Sequence, residues 1–255
     1  MTRICPDQPA KTCQDLLAGM GVLAARFPSL AADIGPLSLL DLNHLQPLMA
    51  SATTFQCLTA LLSPEEALLL DGFAYSKRRL EWLGGRLAAK YGLSRLVPAD
   101  SPTAPWSDWS ILPDPSGRPS LGPGPMATVS ISHSRGYAAA LVTAAGSCGI
   151  DIQQKSPQLA KVQERFATSE ELALAAGAGD LVTRLALIWT AKEAVKKCLL
   201  ADQPTFFGRI RLIDLAPLGE QALCRVGGRD GITVAVRIAD LGDYLIACTG
   251  GDSCA

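Results

Sequence analysis

The sequence predicts an α+β fold made of two similar, pseudo-twofold-related halves in one chain. Ser63-Pro64-Glu65-Glu66 and Thr168-Ser169-Glu170-Glu171 are helix starts 105 positions apart, each with a hydroxyl cap and acids facing the positive end of a helix dipole. Trp82 and Trp189, and likewise Lys90 and Lys197, recur 107 positions apart, and a nearly fixed offset is the mark of duplicated architecture. Each helical region is also followed by short apolar runs with strand character.

Residues 1–60 are apolar but broken by Pro28, Pro36 and Pro47, which limit helices there to short pieces. They are expected to form an N-terminal extension packed on the first half, with the halves spanning 61–145 and 146–255. The helical pattern opened by Ser63 runs with interruptions to Tyr91. From Pro98 to Pro125 the proline, glycine, serine and aspartate content marks irregular surface structure. Val129 and Ile131 then alternate with polar neighbours, and Tyr137 to Thr143 and Gly149 to Ile152 are short apolar runs, which predicts three neighbouring strands. A second helical region runs from Thr168 to Leu200. Strands are expected at Ile210 to Leu215, Ala222 to Val226, Ile232 to Ile238 and Tyr244 to Thr249. A cleft between two such halves is the expected ligand site.

Composition narrows the chemistry. Apolar residues make up 48% of the 255 and the formal net charge is -1, so neither a nucleic-acid binder nor an acidic disordered chain is favoured. The eight cysteines form no CxxC pair and no zinc-spaced cluster, and His44 and His133 are the only histidines. Oxygen ligands are the option left for a metal. The stretch Leu16 to Ala25 is too short to span a bilayer, and no run sustains about 18 apolar residues. A cytoplasmic protein without a membrane segment is therefore expected.

In Trp189-Thr-Ala-Lys-Glu-Ala-Val-Lys-Lys197, residues 189, 193 and 197 share one helix face, with Lys192 one position round. A carboxylate among lysines suits a metal-bound pyrophosphate; the other reading is an exposed Glu193–Lys197 pair, worth about 0.3–0.5 kcal/mol. Asp151 lies in the apolar run Gly149 to Ile152 and needs a partner there. A magnesium ion shared with Glu193 would supply one, and a hydrogen-bonded aspartate at a strand end is the alternative. Lys77, Arg78, Arg79, Arg86 and Lys90 gather positive charge, with Arg78 and Arg86 roughly on one face. They read as a second phosphate subsite or as a solvated basic face. Ser130-Ile-Ser-His-Ser134 adds hydroxyls and the His133 imidazole just after a strand.

The Gly149 to Ile152 run, followed by Trp189-Thr-Ala-Lys-Glu-Ala-Val-Lys-Lys197, resembles the paired signature of 4'-phosphopantetheinyl transferases of the surfactin-synthetase and enterobactin type. Lys77-Arg-Arg with Trp82-Leu-Gly-Gly-Arg86, Gly117-Arg118-Pro119 and Ser130 to Ser134 resemble family segments in the same order, so the likeness covers roughly residues 60 to 250. The resemblance implies coenzyme A between the halves, with Arg78, Arg86 and His133 on its 3'-phosphate, the turn Gly117, Arg118, Pro119 by the adenine, and Ser132 close by. It implies magnesium on Asp151 and Glu193, with Lys192 and Lys197 contacting phosphate. Many family members carry a third acid where this chain has Gln153, which puts a third carboxylate ligand in doubt. The implied reaction moves the phosphopantetheine arm to a serine of an apo acyl or peptidyl carrier protein and releases 3',5'-adenosine diphosphate. Glu193 is the candidate to take the serine proton, with Lys197 beside it. Two halves in one chain make a monomer sufficient. The alternative function is a non-catalytic coenzyme A or carrier-protein binding protein derived from such an enzyme.

Overall fold

The structure is a computed structural model that describes Gly19, Leu30 and residues 33–97, 105–122, 126–200, 208–217, 219–227 and 231–250. Most of residues 1–32, including Pro28 and the stretch 16–25 apart from Gly19, lie outside that set. The first half runs β1 (Leu37–Asp41), α1 (Leu42–Ala50), α2 (Ala52–Thr59), α3 (Pro64–Asp71), α4 (Ser76–Leu96), β2 (Ile111–Pro113), β3 (Pro119–Leu121), β4 (Thr128–Ser134) and β5 (Tyr137–Thr143). The second runs β6 (Cys148–Gln154), α5 (Ser169–Leu174), α6 (Leu181–Leu199), β7 (Ile210–Leu215), β8 (Gln221–Val226), β9 (Ile232–Asp240) and β10 (Tyr244–Gly250). The sheets are antiparallel, ordered β1-β5-β4 and β6-β10-β9-β8-β7, with β2–β3 a separate hairpin. Both halves therefore begin with a strand that pairs with their last strand and carry one long helix over the sheet.

The shared helix-start signal is built the same way twice. Ser63 and Glu66 form a reciprocal capping box, as do Thr168 and Glu171. Each glutamate also accepts the backbone N–H of a strand, Glu66 from Ile111 (3.1 Å) and Glu171 from Leu212 (2.8 Å). Each is paired with a buried lysine of its long helix, Lys90 with Glu66 and Lys192 with Glu171. The ammonium groups are completed by carbonyls, of Trp106 and Trp109 for Lys90 and of Phe166 for Lys192. The counterpart of Lys90 is thus Lys192, not Lys197 as the 107-residue offset suggested, because what repeats is the contact with the capping glutamate.

Two expectations are corrected. The strand β1 pairs along its length with β5, so part of the segment expected to be an extension is an integral strand of the first half. Pro47 sits inside α1, past its first turn, and the helices around it are short, nine residues in α1 and eight in α2. Residues 111–121, expected to be irregular, contain the β2–β3 hairpin. The described halves of the other expected strands and helices stand within a few residues of where the sequence placed them.

The halves join through side chains as well as a shared core. Ile150, Ile152 and Gln154 of β6 donate their N–H groups to the hydroxyls of Ser130, Ser132 and Ser134 of β4, at 3.1, 3.3 and 3.0 Å. This serine ladder is the structural use of the alternating Ser130-Ile-Ser-His-Ser134 segment. Leu39, Ala139 and Leu141 of the first sheet pack with Ile150, Ile152 and Ile246 of the second. In the second half α6 lies so close to β6 that a Cβ at Gly149 would sit 1.9 Å from the Ala194 carbonyl oxygen. Only glycine allows that approach, and it brings the Glu193 and Lys197 turns of α6 to the strand carrying Asp151.

Candidate active site

Asp151 is 6% exposed, on the middle of β6. Its Oδ1 accepts hydrogen bonds from the Ser132 hydroxyl (2.7 Å) and the Lys197 ammonium (2.7 Å). Lys197 also donates to the Ile150 carbonyl at 3.0 Å. The Oδ2 atom is buried with no hydrogen-bond partner. Glu193 faces the same place from α6: burial pushes its carboxyl above the ordinary range, and the charge of Asp151 pushes it further, against the pull of Lys197 and Lys196. Beyond the lysines that pair with them, Lys197 with Asp151 and Lys196 with Glu193 at 3.6 Å, the two acids keep one buried carboxylate oxygen without a hydrogen-bond partner. Hard oxygen donors from two carboxylates fit magnesium that completes its shell with water and phosphate. Among the described residues no group of three or more histidine, cysteine, aspartate or glutamate side chains is placed to hold a metal. Gln153, half-buried two residues along β6, donates its amide to the Gln154 carbonyl at 2.9 Å.

A basic subsite is formed where α4 meets the end of β4. Arg78 Nη1 lies 3.3 Å from His133 Nε2. Glu81, a residue the sequence reading passed over, places its carboxylate 3.7 Å from both His133 Nδ1 and the Lys77 ammonium. Burial lowers the pKa of His133, Arg78 and Lys197 lower it further, and Glu81 and Asp151 oppose them. Two turns along α4, Arg86 is 8% exposed, donates Nε to the Ile111 carbonyl (2.9 Å) and stacks 4.5 Å over Trp82. Burial lowers its pKa to about 10, still a cation at neutral pH.

The turn Gly117-Arg118-Pro119 is held by Asp114, whose Oδ1 accepts from the backbone of Ser116 (2.8 Å) and Arg118 (3.0 Å). Gly117 takes φ +87°, a left-handed conformation that favours glycine. Arg118 Nη2 reaches the Lys197 carbonyl at 3.4 Å, which ties this first-half turn to the end of α6. Between them lies a cavity of about 220 Å3 lined by Gly117, Arg118, Pro119, Glu193, Lys196 and Lys197 among others. Larger cavities, about 640 and 900 Å3, lie away from the paired acids, one beside Leu187 and Arg237 and one beside Met49 and Arg79.

The structure thus brings together Asp151, Glu193 and Lys197, places the Gly117–Pro119 turn across a cavity from Glu193, and pairs Arg78 with His133. One expected residue does not join them. Lys192 is 4% exposed with its ammonium held by Glu171 and the Phe166 carbonyl, because one helical position from Glu193 is about 100° of rotation and turns it into the second core. Ser132, expected close by, is buried at the same place, its hydroxyl donating to Asp151 and accepting from the Ile152 N–H. Glu81 and Asp114 were the residues missed; a carboxylate four positions after Lys77 carries only the signal of an ordinary helix-surface pair.

Residues 65–143 match the family model described as 4'-phosphopantetheinyl transferase N-terminal domain, and residues 147–249 that of the 4'-phosphopantetheinyl transferase superfamily. The chain is 36% identical over 85 residues to a holo-[acyl-carrier-protein] synthase of Streptococcus agalactiae, covering 32% of this chain and 71% of that protein. It is 44% identical over 69 residues to the enzyme of the same name from Halalkalibacterium halodurans, covering 26% and 58%. Among solved structures it is similar to a Bacillus anthracis holo-(acyl-carrier-protein) synthase in complex with CoA (3',5'-ADP), with 26% identity, a TM-score of 0.37, and 43% and 92% of the two chains covered.

Proposed function

The chain belongs to the 4'-phosphopantetheinyl transferase superfamily and is an enzyme of that class, and from that premise we propose that it moves the phosphopantetheine arm of coenzyme A to a serine of an apo acyl or peptidyl carrier protein. The observation that carries the reading is the buried, unpartnered Oδ2 of Asp151, together with the influence of the Asp151 charge on the Glu193 carboxyl of the helix packed on β6. The presence of both halves in one chain favours the surfactin-synthetase and enterobactin type and a monomer. A cytoplasmic setting fits the chemistry; among the described residues no single helix is long and apolar enough to cross a membrane.

Asp151 and Glu193 would hold magnesium, with Gln153 within reach only as a neutral or water-mediated donor. When bound, the ion supplies Lewis-acid stabilisation of charge developing on the pyrophosphate. Lys197, free to leave Asp151 Oδ1, donates to the same phosphates from the cleft side. Arg78, Arg86 and His133 hold the 3'-phosphate, and the Gly117, Arg118, Pro119 turn closes on the adenine. Glu193 takes the proton of the attacking serine hydroxyl. The β-phosphorus–oxygen bond to the leaving 3',5'-adenosine diphosphate then breaks. Lys192 does not act on phosphate in this scheme. The test is to incubate the protein with coenzyme A, magnesium and several apo carrier proteins and to weigh the carriers. A mass gain equal to one phosphopantetheine that requires both coenzyme A and metal supports the reading; bound coenzyme A with no carrier modified overturns it.

A further inference from the structure

Glu81 brings an acidic side chain into a subsite rich in cations. It is 12% exposed, it sits 3.7 Å from the His133 ring, and among the described residues its ammonium partner is the well-exposed Lys77. The ring's tautomer follows from its neighbours. Arg78 Nη1 can only donate, so the Nε2 atom it faces at 3.3 Å is an acceptor, which puts the ring proton on Nδ1, toward Glu81. A neutral His133 in this arrangement offers a phosphate no hydrogen at Nε2. To donate there it must leave Arg78, and because moving the ring proton from Nδ1 would set a lone pair against the Glu81 carboxylate, a second proton is the favoured route.

We propose that Glu81 is the counter-charge that lets His133 take up a proton as a phosphate monoester docks beside Arg78, so that binding at this subsite is proton-linked. The inference rests on coenzyme A being the ligand. The proton comes from solvent and goes to Nε2; Nδ1–H keeps its direction toward Glu81, and the imidazolium and Arg78 both point donors at the phosphate. The charged groups facing the ring are Glu81 and Arg78 of α4, Lys197 of α6 and Asp151 of β6. In the ligand-free chain burial, Arg78 and Lys197 outweigh the acids and keep the ring neutral at pH 7. A dianion between Arg78 and the ring reverses that balance, and Glu81 makes the reversal reachable at neutral pH. Glu81 is thus a positioning residue that sets protonation, not a phosphate contact.

Calorimetry of the full chain with coenzyme A and with dephospho-coenzyme A, in two buffers of different ionisation enthalpy, reads the linkage directly. Coenzyme A should bind with uptake of roughly half a proton at pH 7, and dephospho-coenzyme A with almost none. His133→Gln should abolish the uptake. Glu81→Gln should weaken coenzyme A a few-fold near pH 6, hardly at all at pH 8 where neither protein takes up a proton on binding, and leave dephospho-coenzyme A unchanged, because losing the counter-charge lowers the bound ring's pKa by somewhat under one unit. Tight coenzyme A binding without proton uptake overturns the inference while leaving the proposed function standing. Equal weakening of both ligands by Glu81→Gln at every pH also overturns it and makes Glu81 structural. Wild-type protein that binds neither ligand removes the functional reading and this one together.

Discussion

The two halves share an order of elements and one buried device, and differ in everything that faces the cleft between them. Glu66 with Lys90, and Glu171 with Lys192, are the same capping carboxylate neutralised by the same lysine and tied to the same kind of strand. Those lysines are 102 positions apart. By that offset the second half's Glu193 and Lys197 correspond to Tyr91 and Arg95, and the first half's Arg86 to Ile188, buried in the second core. Repetition marks the scaffold, and asymmetry marks the chemistry. The close helix contact differs too: in the first half the long helix supplies the glycines, Gly84, Gly85 and Gly92, whereas in the second the strand supplies Gly149. Putting the glycine on the strand leaves α6 free to carry bulky polar groups beside Asp151.

The largest effect should come from breaking a repeated pair. Lys192→Ala leaves the Glu171 carboxylate buried with its strand and cap contacts but no cation, which costs about 3–5 kcal/mol. Lys90→Ala should cost a similar amount for the same reason. Chemical denaturation of both variants checks this. A Lys192→Ala protein with unaltered stability and selectively weakened coenzyme A would break the comparison and return Lys192 to the phosphate-binding set.

Next in size are changes to the unrepeated acids, whose effect should fall on transfer and not on folding. Asp151→Asn and Glu193→Gln should each lower carrier modification by about a hundredfold or more while the protein stays folded. Glu193→Gln should even raise the melting temperature of the metal-free protein at neutral pH, by about 2–4 °C. The pH dependence gives the sign. The carboxyl of Glu193 holds its proton more tightly in the folded chain than its ordinary value of 4.5, so its unfavourable contribution is present above that raised value and disappears as pH falls through it. The stability gap between wild type and Glu193→Gln should therefore close on acidification. A gap that widens as pH falls would mean Glu193 is stabilised by Lys196 and Lys197 more than burial and Asp151 oppose it.

Much of this was legible in residues whose signal is local. Hydroxyl-acid caps, alternating apolar runs and the Trp189 to Lys197 face are set by nearest neighbours, and the structure places elements there. What the sequence concealed was partnership across distance. Leu37 to Asp41 reads as an apolar fragment between proline-marked turns, and its role as a strand depends on β5, about a hundred residues on. Lys192 beside Glu193 looked like part of one constellation, because adjacency in sequence hides that helix neighbours diverge by a quarter turn or more. Ser130, Ser132 and Ser134 had the right alternation, but only the placement of β6 shows that their hydroxyls join the halves.

The smallest expected effect concerns Gln153, and it tests how far the second half's asymmetry extends. Alternation along β6 puts residue 153 on the same side as Asp151, and its amide is engaged with no more than the neighbouring Gln154 carbonyl. A neutral amide adds little to a magnesium shell, so two carboxylates carry the site and the metal should bind loosely until a pyrophosphate arrives. Gln153→Glu would add a third negative oxygen and should lower the magnesium concentration for half-maximal transfer by a few-fold, about what one added carboxylate at partial exposure provides. The same charge strengthens repulsion around Glu193, so the variant should also melt slightly lower without metal and recover when magnesium is added. A magnesium titration of transfer, run with metal-free and metal-loaded melts, separates the effects. An unchanged half-saturation point with an unchanged melt would place residue 153 outside the electrostatic reach of Asp151 and Glu193, and would confine the chemical asymmetry of the halves to those two acids and Lys197.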